Sequence, residues 1–100
     1  LHGEAVASGM CMAAALSSGL GWINAADLAR VETIIKRARL PVRAPAALEP
    51  ARMLELMAVD KKAQEGRIRL VLLKAIGKAV VTADYDPALL REVLTAYREG

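Results

Sequence analysis

The sequence predicts a mainly α fold carrying one small β-hairpin, and three observations predict it. Of 100 residues, 55% are hydrophobic but only 3% aromatic, and Phe is absent. The core must therefore be built from Ala, Leu, Val, Ile and Met, a helical palette more than that of a β-sandwich. Apolar residues dominate or recur at helical spacing in four segments. Between the third and fourth, the period shortens to two over residues 67–72, and a second β-type run follows at 78–83.

The first helix is expected from about Gly3 or Glu4 to Ser18. Apolar residues cover nearly every side of it, the pattern of a helix buried all round. Gly19-Leu20-Gly21 supplies its stop. Asn24 is a good N-cap for the second helix, with Asp27 three residues on, where a carboxylate suits the helix N-terminus. Leu28, Val31, Ile35 and Ala38 form its apolar stripe. Lys36, Arg37 and Arg39 crowd its last turn, and Leu40-Pro41 ends it. After a short loop, Pro50 suits the first turn of a third helix. Met53, Leu54, Leu56 and Met57 give that helix its apolar side; it fades near Asp60, and Gly66 closes the polar stretch beyond. Ile68, Leu70 and Leu72 share one face of a strand. Gly77 lies in the short link to a second strand, so a hairpin is the economical pairing. Asp86 caps the last helix, Pro87 opens it, and Leu89, Leu90, Val93, Leu94 and Tyr97 line its buried side.

Size and charge narrow the class of function. One hundred residues make a single domain, 1–100. The high apolar fraction points to surface normally covered by another domain or subunit, and a homo-oligomer stays open. The net charge is +3, with Lys and Arg scattered and no interleaved aromatics. Nucleic-acid binding is therefore not expected, while a site for a small anion fits. The longest apolar run, residues 5–16, falls short of the ~20 residues of a membrane span. Cys11 is the sole cysteine, which excludes an internal disulfide and makes a reducing, cytoplasmic setting the default. Core packing explains it better than reactivity, since nothing near it in sequence lowers a thiol pKa.

Two places offer chemistry. His2 is the only histidine. A lone histidine is commonly a hydrogen-bonded structural residue, and zinc needs three or four protein ligands. Glu4 stands nearby, but two ligands do not make a site. His2 therefore either binds nothing or shares a metal with ligands from sequence outside these residues. The opening at Leu1, with no initiator Met, supports the second reading as an expectation. Asp60-Lys61-Lys62 is either a solvated charge cluster at a helix end or an anion-binding lysine steadied by Asp60. Ser8-Gly9 makes no nucleophile elbow, because no strand precedes it. Gly19-Leu20-Gly21 ends a helix where a phosphate loop would start one.

Two segments resemble one known family. The run His2-Gly3-Glu4-Ala5-Val6-Ala7-Ser8-Gly9-Met10 is similar to a signature of the 3-dehydroquinate synthases. Asp60-Lys61-Lys62, followed by residues 66–73 and Ile76-Gly77, resembles a second one, and the closing Asp-Pro-x-Leu-Leu helix also matches. The resemblance implies the helical C-terminal domain of a dehydroquinate synthase-like fold. The partner it implies is an N-terminal NAD-binding domain of the same protein, with the active site between the two. It implies a cytoplasmic shikimate-pathway lyase using NAD and a divalent metal, usually zinc. The implied substrate is a small phosphorylated sugar acid, 3-deoxy-D-arabino-heptulosonate 7-phosphate, and the products are 3-dehydroquinate and phosphate. On this chain His2 matches the last of three zinc ligands, and the other two precede the motif. Lys61 matches a substrate-contacting lysine on the phosphate side. Glu4 and Asp60 match signature residues without an assigned role, and Ser8 stands where an apolar residue is usual. The expectation is a C-terminal part, inactive alone and weak in zinc binding, because affinity needs several preorganised ligands. A related sugar-phosphate cyclase and a freestanding helical interaction module are the alternatives.

Overall fold

The structure is a computed structural model that describes residues 2–59 and 68–99, with His2 described by its backbone. Its elements are α1 (His2–Gly19), α2 (Ala25–Arg37), α3 (Pro50–Met57), β1 (Leu70–Ala75), β2 (Lys78–Thr82) and α4 (Pro87–Ala96). The mainly helical architecture with one hairpin is the one the sequence predicts.

Local chemistry sets most of the boundaries. α1 ends in a Schellman motif: Gly21 takes φ +81°, its N–H bonds the Ser18 carbonyl, and the Trp22 N–H reaches back to Ser17. α2 opens on a capping box. The Asn24 side chain accepts from the Asp27 N–H at 2.8 Å, and the Asp27 carboxylate accepts from the Asn24 N–H at 3.4 Å. Its far end repeats the Schellman hydrogen bonds, Arg39 N–H to Lys36 and Leu40 N–H to Ile35. Here the left-handed position is held by Arg39, at φ 61°, where glycine is the usual choice. α3 starts with Pro50 at its first turn, and α4 is capped by the Asp86 carboxylate, which accepts from the Ala88 N–H at 2.9 Å.

β1 and β2 pair antiparallel, Leu70 opposite Thr82 and Leu72 opposite Val80, with an irregularity between Leu73 and Ala75. The turn passes through Gly77 at φ +84°. Leu70 and Leu72 are fully buried and Val71 is not, which confirms the predicted alternation. The main core joins Met12 and Leu16 of α1 to Met53, Leu70, Leu72, Tyr85, Leu90, Val93 and Leu94. A smaller cluster places Ala7 and Cys11 against Ile35. α1 is the hub, packed on α2, α3, α4 and β1.

Two expectations need correction. α1 is not buried all round: Val6 and Met10, one turn apart, form an open apolar stripe along it. The four elements packed around α1 cover its other sides and leave this one bare. In α2 only Ile35 of the predicted stripe is fully buried. Ala38 is exposed because it lies past the last helical residue, as the C-cap.

Candidate functional site

The first signature forms the N-terminal half of α1. At about 100° per residue, positions 2, 5 and 9 fall on one side of the helix. That side faces α3. Gly9 permits the approach: a Cβ there would stand 3.3 Å from Met53 Cε and 3.3 Å from Met57 Cγ. Positions 2 and 4 lie about 200° apart around the axis, so Glu4 does not share the helix face of His2. Glu4 instead borders a cleft of about 460 Å³ between the first turn of α1, the 45–48 loop and α3. Ala5, Leu48 and Leu56 form its apolar walls, with Arg52 as its cation. Arg52 pairs with Glu55 at 2.9 Å, and both side chains are largely in solvent, so the pair adds little stability.

The second signature is bracketed by the same unit. Asp60, Lys61 and Gly66 lie outside the described residues, but both flanks of residues 60–67 are fixed. Ala58 bridges Leu70, and the Val59 N–H donates to the Arg69 carbonyl at 3.1 Å. The buried Tyr85 donates its hydroxyl to the Ile68 carbonyl at 2.6 Å. β1 is fastened to α1 in turn, because the Leu73 N–H donates to Ser17 Oγ at 2.8 Å and that hydroxyl donates to the Ala13 carbonyl at 2.7 Å. The helix that His2 opens and both ends of the segment bearing Asp60 and Lys61 therefore belong to one packed unit.

Among the described residues, no three His, Cys, Asp or Glu side chains gather as a metal centre. Glu4 lies in the first turn of α1, Cys11 in the buried middle of the same helix, and Glu32 on α2. Cys11 is fully buried, and burial first, then the Glu32 charge, pushes its thiol up to about 11, with Lys36 opposing. Tyr97 donates to the Glu32 carboxylate at 2.5 Å; burial and that bond hold its hydroxyl well above the ordinary tyrosine range. Both groups stay neutral at ordinary pH, so Cys11 is a packing residue, as its sequence context predicts.

Sequence reasoning missed Arg52 and the 45–48 wall of the cleft, because neither carries a motif. It also missed the Ser17 clamp. The signal was a serine next to the apolar run 10–16 of α1, where a buried hydroxyl requires partners. No helix among the described residues is long and apolar enough to cross a membrane.

Comparison with known proteins matches these elements to one family. Residues 1–63, which hold α1 to α3 and Lys61, match the family model described as 3-dehydroquinate synthase C-terminal. The 3-dehydroquinate synthase of Nitrosococcus oceani is 54% identical over 94 residues, covering 94% of this chain and 26% of the relative. That of Methylococcus capsulatus is 54% identical over 97 residues, 97% of this chain and 27% of the relative. That of Acinetobacter baumannii strain AYE is 50% identical over 100 residues, the whole chain and 28% of the relative. The chain thus spans about a quarter of the length of the curated relatives it matches. Identity near one half over 94 to 100 residues, together with a family model that matches residues 1–63, has one reading: the chain belongs to the 3-dehydroquinate synthase C-terminal family.

Proposed function

We propose that these residues form the metal- and substrate-binding helical C-terminal domain, 1–100, of a cytoplasmic 3-dehydroquinate synthase. The complete protein converts 3-deoxy-D-arabino-heptulosonate 7-phosphate to 3-dehydroquinate and phosphate, and an N-terminal domain supplies NAD. The supporting observation is that α3 and β1, which flank residues 60–67, both pack on α1, in a chain about half identical to synthases over nearly its full length.

In this reading His2 contributes one imidazole to a zinc site, and the other ligands come from elsewhere in the polypeptide. An imidazole nitrogen suits zinc, and the scattered donors of the described residues do not complete a site themselves. When bound, the metal supplies Lewis-acid polarisation of the substrate hydroxyl that is oxidised. Lys61 holds the phosphate as a compact point charge, with Asp60 steadying it. Tyr85 and the Ala58–Leu70 bridge keep both flanks of that segment fixed to the helical unit.

The test is phosphate release by the full-length protein, wild type against His2→Ala and Lys61→Ala. Losing a metal ligand is expected to lower the rate on the order of a hundredfold or more. Losing Lys61 is expected to raise KM for the phosphorylated substrate. Unchanged rates in both variants would overturn the assignments. Turnover of a different sugar phosphate in place of the heptulosonate would move the protein to a related cyclase.

A further inference from the structure

Residues 97–99, beyond α4, are stitched to the segment that enters α3. The Ala44 N–H donates to the Tyr97 carbonyl at 2.7 Å, and the Glu99 N–H donates to the Ala44 carbonyl at 2.8 Å. Ala44 and Arg98 thereby pair as an isolated parallel bridge, with Ala44 buried in the core. Tyr97 ties the same stretch to α2 through Glu32. On this frame the Arg98 guanidinium donates to the Ala46 carbonyl and lies 3.6 Å from the Glu49 carboxylate. The charged bond to the carbonyl is the strong one. The Glu49 carboxylate is largely in solvent and adds little.

We propose that Arg98 is a positioning residue for substrate binding, acting through α3 and not by contact with substrate. The proposal rests on the reading of this chain as part of a synthase. α3 has eight residues, and its N-cap, Glu49, makes no side-chain cap hydrogen bond. A helix that short does not hold its place by propensity, so its pose depends on what fixes its ends and its packed face. Its packed face lies against α1 at Gly9. Its far end, past Met57, is pinned to β1 through Ala58 and Val59, directly before the segment with Asp60 and Lys61. Its near end is the one that Arg98 fixes. The same bond to Ala46 steadies Pro45, Ala47 and Leu48, which wall the cleft opposite Glu4, in the first turn of the helix that His2 opens. Arg98 is thus placed to set α3 and the cleft wall against the start of α1.

The test compares Arg98→Met and Arg98→Lys with wild type in the complete polypeptide, by amide exchange and by phosphate release. Met keeps the half-buried stem and removes the donor; Lys restores a cation for the Ala46 carbonyl. The Leu48 and Met53 amides, bonded to the Pro45 and Glu49 carbonyls, report on the entry of α3. In Arg98→Met they are expected to exchange about tenfold faster, the loss of one charged hydrogen bond, while α2 is unchanged. KM for the heptulosonate phosphate is expected to rise at least about threefold with kcat within about twofold, because a displaced α3 weakens binding and leaves α1 in place. Arg98→Lys is expected to recover most of both effects. Unchanged exchange at Leu48 and Met53 overturns the proposal. So does equal acceleration in α2, which marks a general loss of stability, and so does an unchanged KM or a Lys variant no better than Met. A wild-type protein that releases no phosphate sinks the functional reading, and the exchange pattern then still decides whether Arg98 holds α3.

Discussion

Ser8 and Ser17 are both fully buried on α1, yet they should respond in opposite ways to replacement by alanine. Ser17 Oγ is the acceptor for the Leu73 N–H, 56 residues away, at 2.8 Å. Ser17→Ala leaves that N–H facing a methyl group, and an unmatched buried donor costs about 1–3 kcal/mol. Alanine returns about 0.5 kcal/mol of helix propensity. The net loss is therefore roughly 1–2 kcal/mol, a fall in Tm of about 5–15 °C for a domain of this size. Ser8 is different, because its hydroxyl only donates, to the Glu4 carbonyl at 3.1 Å and, more weakly, to Pro41 at 3.4 Å. The Glu4 carbonyl keeps its helical partner when that hydroxyl is removed. Ser8→Ala should stay within about 0.5 kcal/mol of wild type, or gain slightly from propensity. Urea denaturation of the two variants, with the slope checked for constancy, measures both. Equal losses, or a Ser17→Ala variant as stable as wild type, would refute the argument that an orphaned donor, and not the mere loss of a buried hydroxyl, sets the cost.

Three further outcomes follow from the same structure. Arg39 sits in the left-handed region that a β-carbon disfavours. Arg39→Gly should raise stability by about 0.5–1 kcal/mol, read as a Tm a few degrees higher; a lower Tm would mean that the side chain contributes more than its backbone costs. Cys11 and Tyr97 both hold their protons more tightly folded than unfolded. Between pH 9 and 11 the unfolded state therefore binds fewer protons, and stability falls as pH rises through that window. Urea midpoints from pH 8 to 11 should decline, and Cys11→Ala should flatten the decline. At pH 8 the folded thiol, with its pKa near 11, is thiolate in roughly one molecule in a thousand, so an aromatic disulfide reagent should label Cys11 only after unfolding.

The legible parts of the fold were those written in local chemistry. The capping box of Asn24 and Asp27, the Asp86-Pro87 start of α4 and the Gly21 and Gly77 turns depend on residues within a few positions of each other. The alternation of Leu70 and Leu72 with Val71 is likewise local, because the pleat imposes it. What escaped depends on distant partners. Which side of α1 remains open is decided by α2, α3, α4 and β1 together, and nothing within residues 2–19 marks Val6 and Met10 as the uncovered pair. The bond from Tyr97 to Glu32 joins residues 65 apart and has no sequence signature. The candidate site divides the same way. His2 and Lys61 are proposed only on runs of residues that resemble a family, since neither has neighbours in the sequence that complete a chemistry. The cleft beside Glu4 required three separated segments to be brought together.

The central place of α1 also has a consequence in time. It is made before the elements that shelter it: Leu73, which ties to Ser17, comes 56 residues later. Leu89, whose side chain lies against Gly19, comes later still. At ribosomal rates of 5–20 residues per second, the 70 residues from Gly19 to Leu89 take roughly 4–14 s. For that interval an eighteen-residue helix, one of whose flanks even the finished domain leaves bare, has to wait beside the ribosome without its last partners. Its exposure to chaperones and to other nascent chains is thus set by the order in which its neighbours are translated, and slow codons near α4 would lengthen it.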